Sequence, residues 1–164
     1  MTATGSTTYH RPPTPPVFIS GSLSIRQLPA CVMKQLGVII DQELPVVIGD
    51  APGADAAVQQ FLADCGVRHV TVFCGDTIPR HNIGAWPVRQ ILADAAPGTR
   101  AFHSAKDREM TRLAGAGIVV WDGVSQGSRA NIRRLCERGR HVLVYLRPMD
   151  RFVTVAPIRS GWRF

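Results

Sequence analysis

Ile118-Val119-Val120-Trp121-Asp122-Gly123-Val124-Ser125-Gln126-Gly127-Ser128-Arg129 is the stretch whose reading decides the fold. An apolar, β-branched run breaks at Asp122-Gly123, a loop of small and polar residues follows, and helical spacing of Ile132, Leu135 and Cys136 begins at once. That order reads as a buried strand, a tight loop and a helix N-terminus. The first amides of such a helix have no partner within it, and the helix dipole places positive charge there. The junction therefore suits a phosphate or a carboxylate. Ser125 or Ser128 is placed to cap the helix. A capped helix without a ligand is the plainer reading of the same residues.

Outward from this stretch the pattern repeats. Val17-Phe18-Ile19-Ser20 stops at Gly21-Ser22, and Val32, Leu36, Ile39 and Ile40 then follow at helical spacing between Pro29 and Pro45. Val46-Val47-Ile48 stops at Gly49-Asp50-Ala51-Pro52-Gly53-Ala54-Asp55, followed by a helix on Val58, Phe61, Leu62 and Cys65 that Gly66 closes. His69 to Phe73 is a third strand, Ser104 to Ala114 a helix capped by Ser104, and Val142 to Leu146 a last core strand. Short buried strands alternating with helices predict an α/β fold, a Rossmann-like three-layer α/β/α domain with a mainly parallel sheet. Between them, Thr77 to Arg100 reads as a long irregular segment with a short helix around Val88 to Ala93. Such loops serve as lids or partner surfaces, and Trp86 is either a stacking platform or a plug over the core.

A chain of 164 residues, 45% of them hydrophobic, supports one compact domain. The expected organisation is a disordered leader over 1–16, a ligand-binding domain over 17–147 and a basic aromatic tail over 148–164. No apolar run reaches the roughly 18 residues of a membrane span, and Met1 to Pro16 lacks the pattern of a signal peptide. Cys31, Cys65, Cys74 and Cys136 show no ligand spacing. Cys31, Cys65 and Cys136 fall on apolar helix faces, so reduced thiols, a cytoplasmic location, no metal site and no cofactor are expected. Charge is divided unevenly. Residues 1–125 balance, whereas nine arginines against Glu137 and Asp150 in 126–164 carry the whole net charge of +7. A basic region of this kind suits nucleic acid, an acidic protein or a phosphorylated ligand, or it is a solvated arginine face.

In a parallel sheet the carboxyl ends of the strands share one edge, so Gly21-Ser22, Gly49 to Asp55 and Asp122 to Ser128 are expected to converge. Gly49 and Gly53 allow close approach of a ligand to the backbone, and Asp50 and Asp55 offer acceptors for hydroxyls or an amine. Lys106 and Arg108, placed in the first turn of a helix, oppose its dipole; a functional role and surface pairing with Asp107 and Glu109 both account for them. Neither GxGxxG after a strand nor GxxxxGK[ST] is present, which removes the usual support for dinucleotide binding and triphosphate hydrolysis.

Ile19-Ser20-Gly21-Ser22, Gly49 to Asp55, Ala105-Lys106-Asp107-Arg108-Glu109-Met110 and Trp121 to Ser128, taken in order, resemble the SLOG superfamily, and within it the small branch similar to the YspA and YpsA proteins. The resemblance implies binding of a nucleotide or a nucleotide-derived phosphorylated ligand, in a sensor or regulatory role. With the converging loops it gives the expected ligand contacts as Gly21, Ser22, Gly49, Asp50, Gly53, Asp55, Lys106, Arg108, Asp122, Gly123, Ser125, Gly127, Ser128 and Arg129. The Lonely Guy phosphoribohydrolases of the superfamily carry PGGxGTxxE, which aligns around Gly127-Ser128. Ser128 keeps the hydroxyl of the threonine, but Asn131 stands where the glutamate is expected, and an amide cannot act as that carboxylate. N-glycosidic hydrolysis or transfer is then an alternative that needs another acid, with Asp50 and Asp122 as catalytic candidates beside Arg108; Asp55, Asp107 and Glu109 complete the set of acids. A DNA-binding accessory role through 126–164 is a second alternative. A homo-oligomer, with a dimer favoured, is the expected assembly.

Overall fold

The computed structural model describes residues 13–156. Seven strands form one sheet in the order β4-β3-β2-β1-β5-β6-β7. They are β1 (Val17–Gly21), β2 (Val46–Gly49), β3 (Val70–Cys74), β4 (Val88–Gln90), β5 (Ala116–Trp121), β6 (His141–Leu146) and β7 (Arg151–Val155). All neighbours pair in parallel except β6 and β7, which are antiparallel. The helices are α1 (Ala30–Asp41), α2 (Ala54–Asp64), α3 (Arg100–Leu113) and α4 (Gln126–Glu137). This is the three-layer, mainly parallel α/β architecture expected from the sequence.

Strand alternation divides the core into two layers. Val17 and Ile19 of β1, Ile48 of β2 and Ile118 and Val120 of β5 point to the face covered by Val32, Leu36, Val58 and Leu62 of α1 and α2. Phe18, Val47 and Val119, one residue out of step, point to the other face, where Met110 of α3 and Leu135 of α4 cover them. Burial on both faces explains why these strands are continuous apolar runs rather than alternating ones.

Several local expectations change. Val88–Gln90 is a short edge strand paired with Val72–Cys74, not a helix. The segment before it is too rich in turn formers to extend, and the free edge of β3 offers it a hydrogen-bond ladder. Trp86 is the plug: it is buried, and its indole N–H donates to the Val67 carbonyl at 2.7 Å. α3 begins at Arg100, with the Thr99 hydroxyl accepting from the Phe102 amide, so Thr99 and not Ser104 is its cap. Lys106 consequently lies in the second turn, and the argument from an unfavourable first-turn charge does not apply to it. α4 begins at Gln126 with Ser125 as cap. Cys65 follows the end of α2 and is exposed rather than part of an apolar face.

The boundaries shift as well. Arg151–Val155, expected in the tail, adds a strand to the sheet, with Phe152 edge-on to Tyr145 at 5.8 Å between ring centroids. At the other end, Pro15 packs over Gly115, and the Pro16 carbonyl accepts from the Gly115 amide at 2.9 Å. Residues 1–12 of the expected leader and the tail aromatics Trp162 and Phe164 lie outside the described residues. No helix among those described is long and apolar enough to cross a membrane.

Candidate functional site

Strand order runs outward in both directions from β1, with β2 on one side and β5 on the other. The chain therefore leaves β1 and β5 toward opposite halves of the molecule, and a crevice opens between their carboxyl ends, where ligands of open α/β sheets bind. A cavity of about 410 Å³ lies at this place. Its wall is assembled from five segments distant in sequence: the end of β1, the start of α2, the loop after β3, α3, and the first turns of α4.

Gly21, Asp55, Lys106, Ser125, Gly127 and Ser128 are the expected ligand contacts found in this wall. At the start of α4, the Ser125 hydroxyl accepts from the Ser128 amide at 3.4 Å, and the amides of Gln126 and Gly127 meet no acceptor among the described residues. Gly127 has ordinary backbone geometry and open space where a Cβ would be, the nearest atom being Ser125 Oγ at 4.0 Å. Neither backbone nor packing requires glycine there. What glycine does is leave the helix terminus bare toward the cavity.

Beneath this terminus lies a charged floor. Lys106 is buried and its Nζ donates to Asp107 Oδ1 at 2.9 Å. Burial acts to lower the lysine pKa, but the charges of Asp107, Asp55 and Asp50 outweigh it and hold the ammonium above its usual value. Asp55 is buried too, and its Oδ1 has no hydrogen-bond partner. Burial pushes its pKa up to about 7, against the downward pull of Lys106. A Cβ on Gly49 would come within 2.6 Å of Asp55 Oδ2 and 2.7 Å of Lys106 Nζ. Gly49 thus acts as the seat of this pair and is not itself in the wall.

Asn131 is buried in the same wall. Its Nδ2 donates to Asp107 Oδ2 at 3.1 Å and, at 3.4 Å, to Ser20 Oγ, while its Oδ1 accepts from Arg134 at 2.7 Å. The amide thus holds a carboxylate of α3 in the cavity from α4. Arg80, Arg100 and Arg134 also line the wall, as do His103 and Ser104.

The other expected residues have structural surroundings. Asp50 is buried and takes Arg80 through both carboxylate oxygens, at 2.9 and 3.2 Å, and its backbone amide at 3.0 Å. Burial raises its pKa, but Arg80 more than compensates and keeps it below the ordinary value. Asp122 shapes the loop before α4: Oδ1 accepts from the amides of Val124 and Ser125 at 2.9 and 2.8 Å, and Oδ2 from the Ser24 hydroxyl at 2.7 Å. These donors override the upward push of burial and hold it at about 2. Ser22 ties β1 to that loop, accepting from the Asp122 amide at 3.0 Å and meeting Ser128 Oγ at 3.2 Å. Gly53, at φ +81°, packs against the Leu23 backbone, and Gly123, at φ +90°, lies beside Pro148. Arg108 and Arg129 are exposed and outside the wall. Glu109 pairs with Arg112 and Arg89.

Among the candidate acids, then, Asp55 and Asp107 reach the cavity wall, whereas Asp50, Glu109 and Asp122 are committed elsewhere. Sequence reasoning missed Arg80, Arg100, His103 and Arg134 as wall residues. For Arg134 a signal existed, because it stands one helical turn beyond Asn131 and two beyond Ser128. Arg80 and Arg100 fell in or beside the irregular segment, where no periodicity assigns a face. Among the described residues no group of His, Cys, Asp and Glu is arranged to hold a metal ion. No family model, curated protein or solved structure matches the chain.

Proposed function

We propose that the chain binds a nucleotide or nucleotide-derived phosphorylated ligand in the crevice between β1 and β5, in a sensor or regulatory role. The observation that carries this reading is the bare start of α4. Two free amides and the positive helix end open into a cavity to which four basic side chains contribute. Arginine matches phosphate through paired N–H donors, and the low dielectric of a crevice strengthens that attraction. The polar floor supplies acceptors for sugar hydroxyls. The resemblance to the SLOG superfamily points to the same class of ligand. Isothermal titration with nucleoside mono- and diphosphates and nucleotide sugars tests it. Binding that Arg134→Ala weakens by about tenfold, equivalent to one charge-assisted hydrogen bond, is the expected result. No heat with any member of the panel overturns it.

A second reading, hydrolysis of an N-glycosidic bond, is favoured by one observation: Asn131 holds the Asp107 carboxylate in the cavity at 3.1 Å. The carboxylate absent at position 131 has a counterpart one helix away. Release of free base from nucleoside monophosphates, abolished in Asp107→Asn, is the expected result of this chemistry. Absence of released base with every substrate rejects it.

A further inference from the structure

We propose that the cavity recognises the sugar-phosphate part of its ligand and makes little contact with a base, so that a free pentose phosphate is a ligand in its own right. This rests on the phosphate-binding reading above. Three features lead to it.

The first is that two chemistries line the cavity. α4 brings the Gln126 and Gly127 amides and Arg134, donors suited to a phosphate. α2 and α3 bring Asp55 and Asp107, which attract hydroxyl donors. The second is the unmet demand of Asp55. Asp55 is 5% exposed, lies in the cavity wall and has an oxygen without a partner. A buried carboxyl oxygen left unpaired is costly, and a ligand hydroxyl would satisfy it. Lys106 gives one of its three N–H groups to Asp107, leaving donors for a hydroxyl or ring oxygen beside Asp55. A compact molecule with a phosphate at one end and hydroxyls at the other is a sugar phosphate.

The third feature is the want of a place for a base. Among the described residues His103 supplies the one aromatic ring of the wall. Trp86 is committed to the Val67 carbonyl and Trp121 to the Ser125 carbonyl at 3.0 Å. Leu23, Ala51 and Ala130 are the apolar side chains present, and none of them has the flat ring face on which a base stacks.

Isothermal titration of the full chain with ribose 5-phosphate, 2-deoxyribose 5-phosphate, nucleoside 5′-monophosphates with different bases, free nucleosides and inorganic phosphate tests the proposal. Ribose 5-phosphate is expected to bind within about threefold of each monophosphate, and nucleosides at least about a hundredfold more weakly. Asp55→Asn and Asp107→Asn are expected to weaken ribose 5-phosphate by about tenfold or more without weakening inorganic phosphate. Unaltered circular dichroism confirms that these near-isosteric variants are folded, and the ligand series on the unmodified chain stands without them. Monophosphate affinities that differ by more than about tenfold between bases, or ribose 5-phosphate that fails to bind where monophosphates bind, overturn the inference and leave the proposed function standing. If no phosphorylated compound binds, both fall.

Discussion

Single residues in this protein divide into those that packing requires and those that it does not. A Cβ on Gly21 would lie 2.5 Å from both the Ala54 Cβ and the Val120 carbonyl oxygen, so Gly21→Ala forces backbone apart and is expected to cost about 1–3 kcal/mol in urea unfolding. At Gly127 the same change enters open space and replaces the poorer helix former. Gly127→Ala is expected to hold or raise stability by up to about 1 kcal/mol and to weaken phosphate binding, a pairing that separates a ligand site from a packing site. Asp55 adds a titration. Its carboxyl keeps a proton to about pH 7 in the folded protein, against an ordinary value of 3.8. Between those values the folded state holds more protons than the unfolded chain, so this group makes stability fall as pH rises from 3.8 to about 7. Asp55→Asn preserves the shape of the protonated form and removes the titration. Urea midpoints over this range are expected to fall for the wild type relative to the variant. Asp122 has the opposite sign: held to about 2, it stabilises the fold above 3.8 and loses that contribution as pH falls toward 2.

At the scale of elements, two loops are built by polar side chains. The Asp122 carboxylate sets the approach to α4 by accepting two loop amides, and Asp122→Ala is expected to cost about 1–2 kcal/mol and to loosen the helix start. Faster amide hydrogen exchange at Ser125 to Ser128 is the measurement that detects it. The loop after β3 depends on Asp50 and on the fully buried Gln59, whose side chain joins the Gly49 and His81 carbonyls and the Ile83 amide. Arg80 is thereby held at the cavity by a side chain from β2's end rather than by its own loop. Asp50 thus acts on the cavity wall through Arg80.

For the molecule as a whole, β7 closes one side of the sheet. Its Phe152, Val153 and Val155 are half-buried, and the Asp150 carboxylate, in a residue at φ +45°, accepts from the Tyr145 hydroxyl at 2.7 Å. Ending the chain after Asp150 is expected to expose the edge of β6, lower stability by at least about 2 kcal/mol, and promote association visible by light scattering. A monodisperse protein of unchanged urea midpoint would contradict this role for the strand.

The sequence by itself determined the order of strands and helices through the core and the mainly parallel class of the sheet. Apolar runs, glycine breaks and helical spacing are local signals, and Val17 to Ser20, Val46 to Ile48 and Ile118 to Trp121 carry them without outside help. It also marked the start of α4 as a candidate anion site, since a helix terminus has the same electrostatics wherever it lies. Edge strands were harder: Val88–Gln90 is short and exposed, and Arg151–Val155 interleaves Arg151 and Thr154 with half-buried apolar residues, so periodicity does not separate them from loop. Which side chains share the cavity was decided only by the tertiary structure. Asn131 and Asp107 meet through the packing of α4 beside α3, and Arg80 is drawn in by Asp50 from another strand. The physical reason is range. Secondary structure follows from neighbours a few residues apart, whereas a hydrogen bond of 3.1 Å between two helices depends on how the sheet beneath them is ordered.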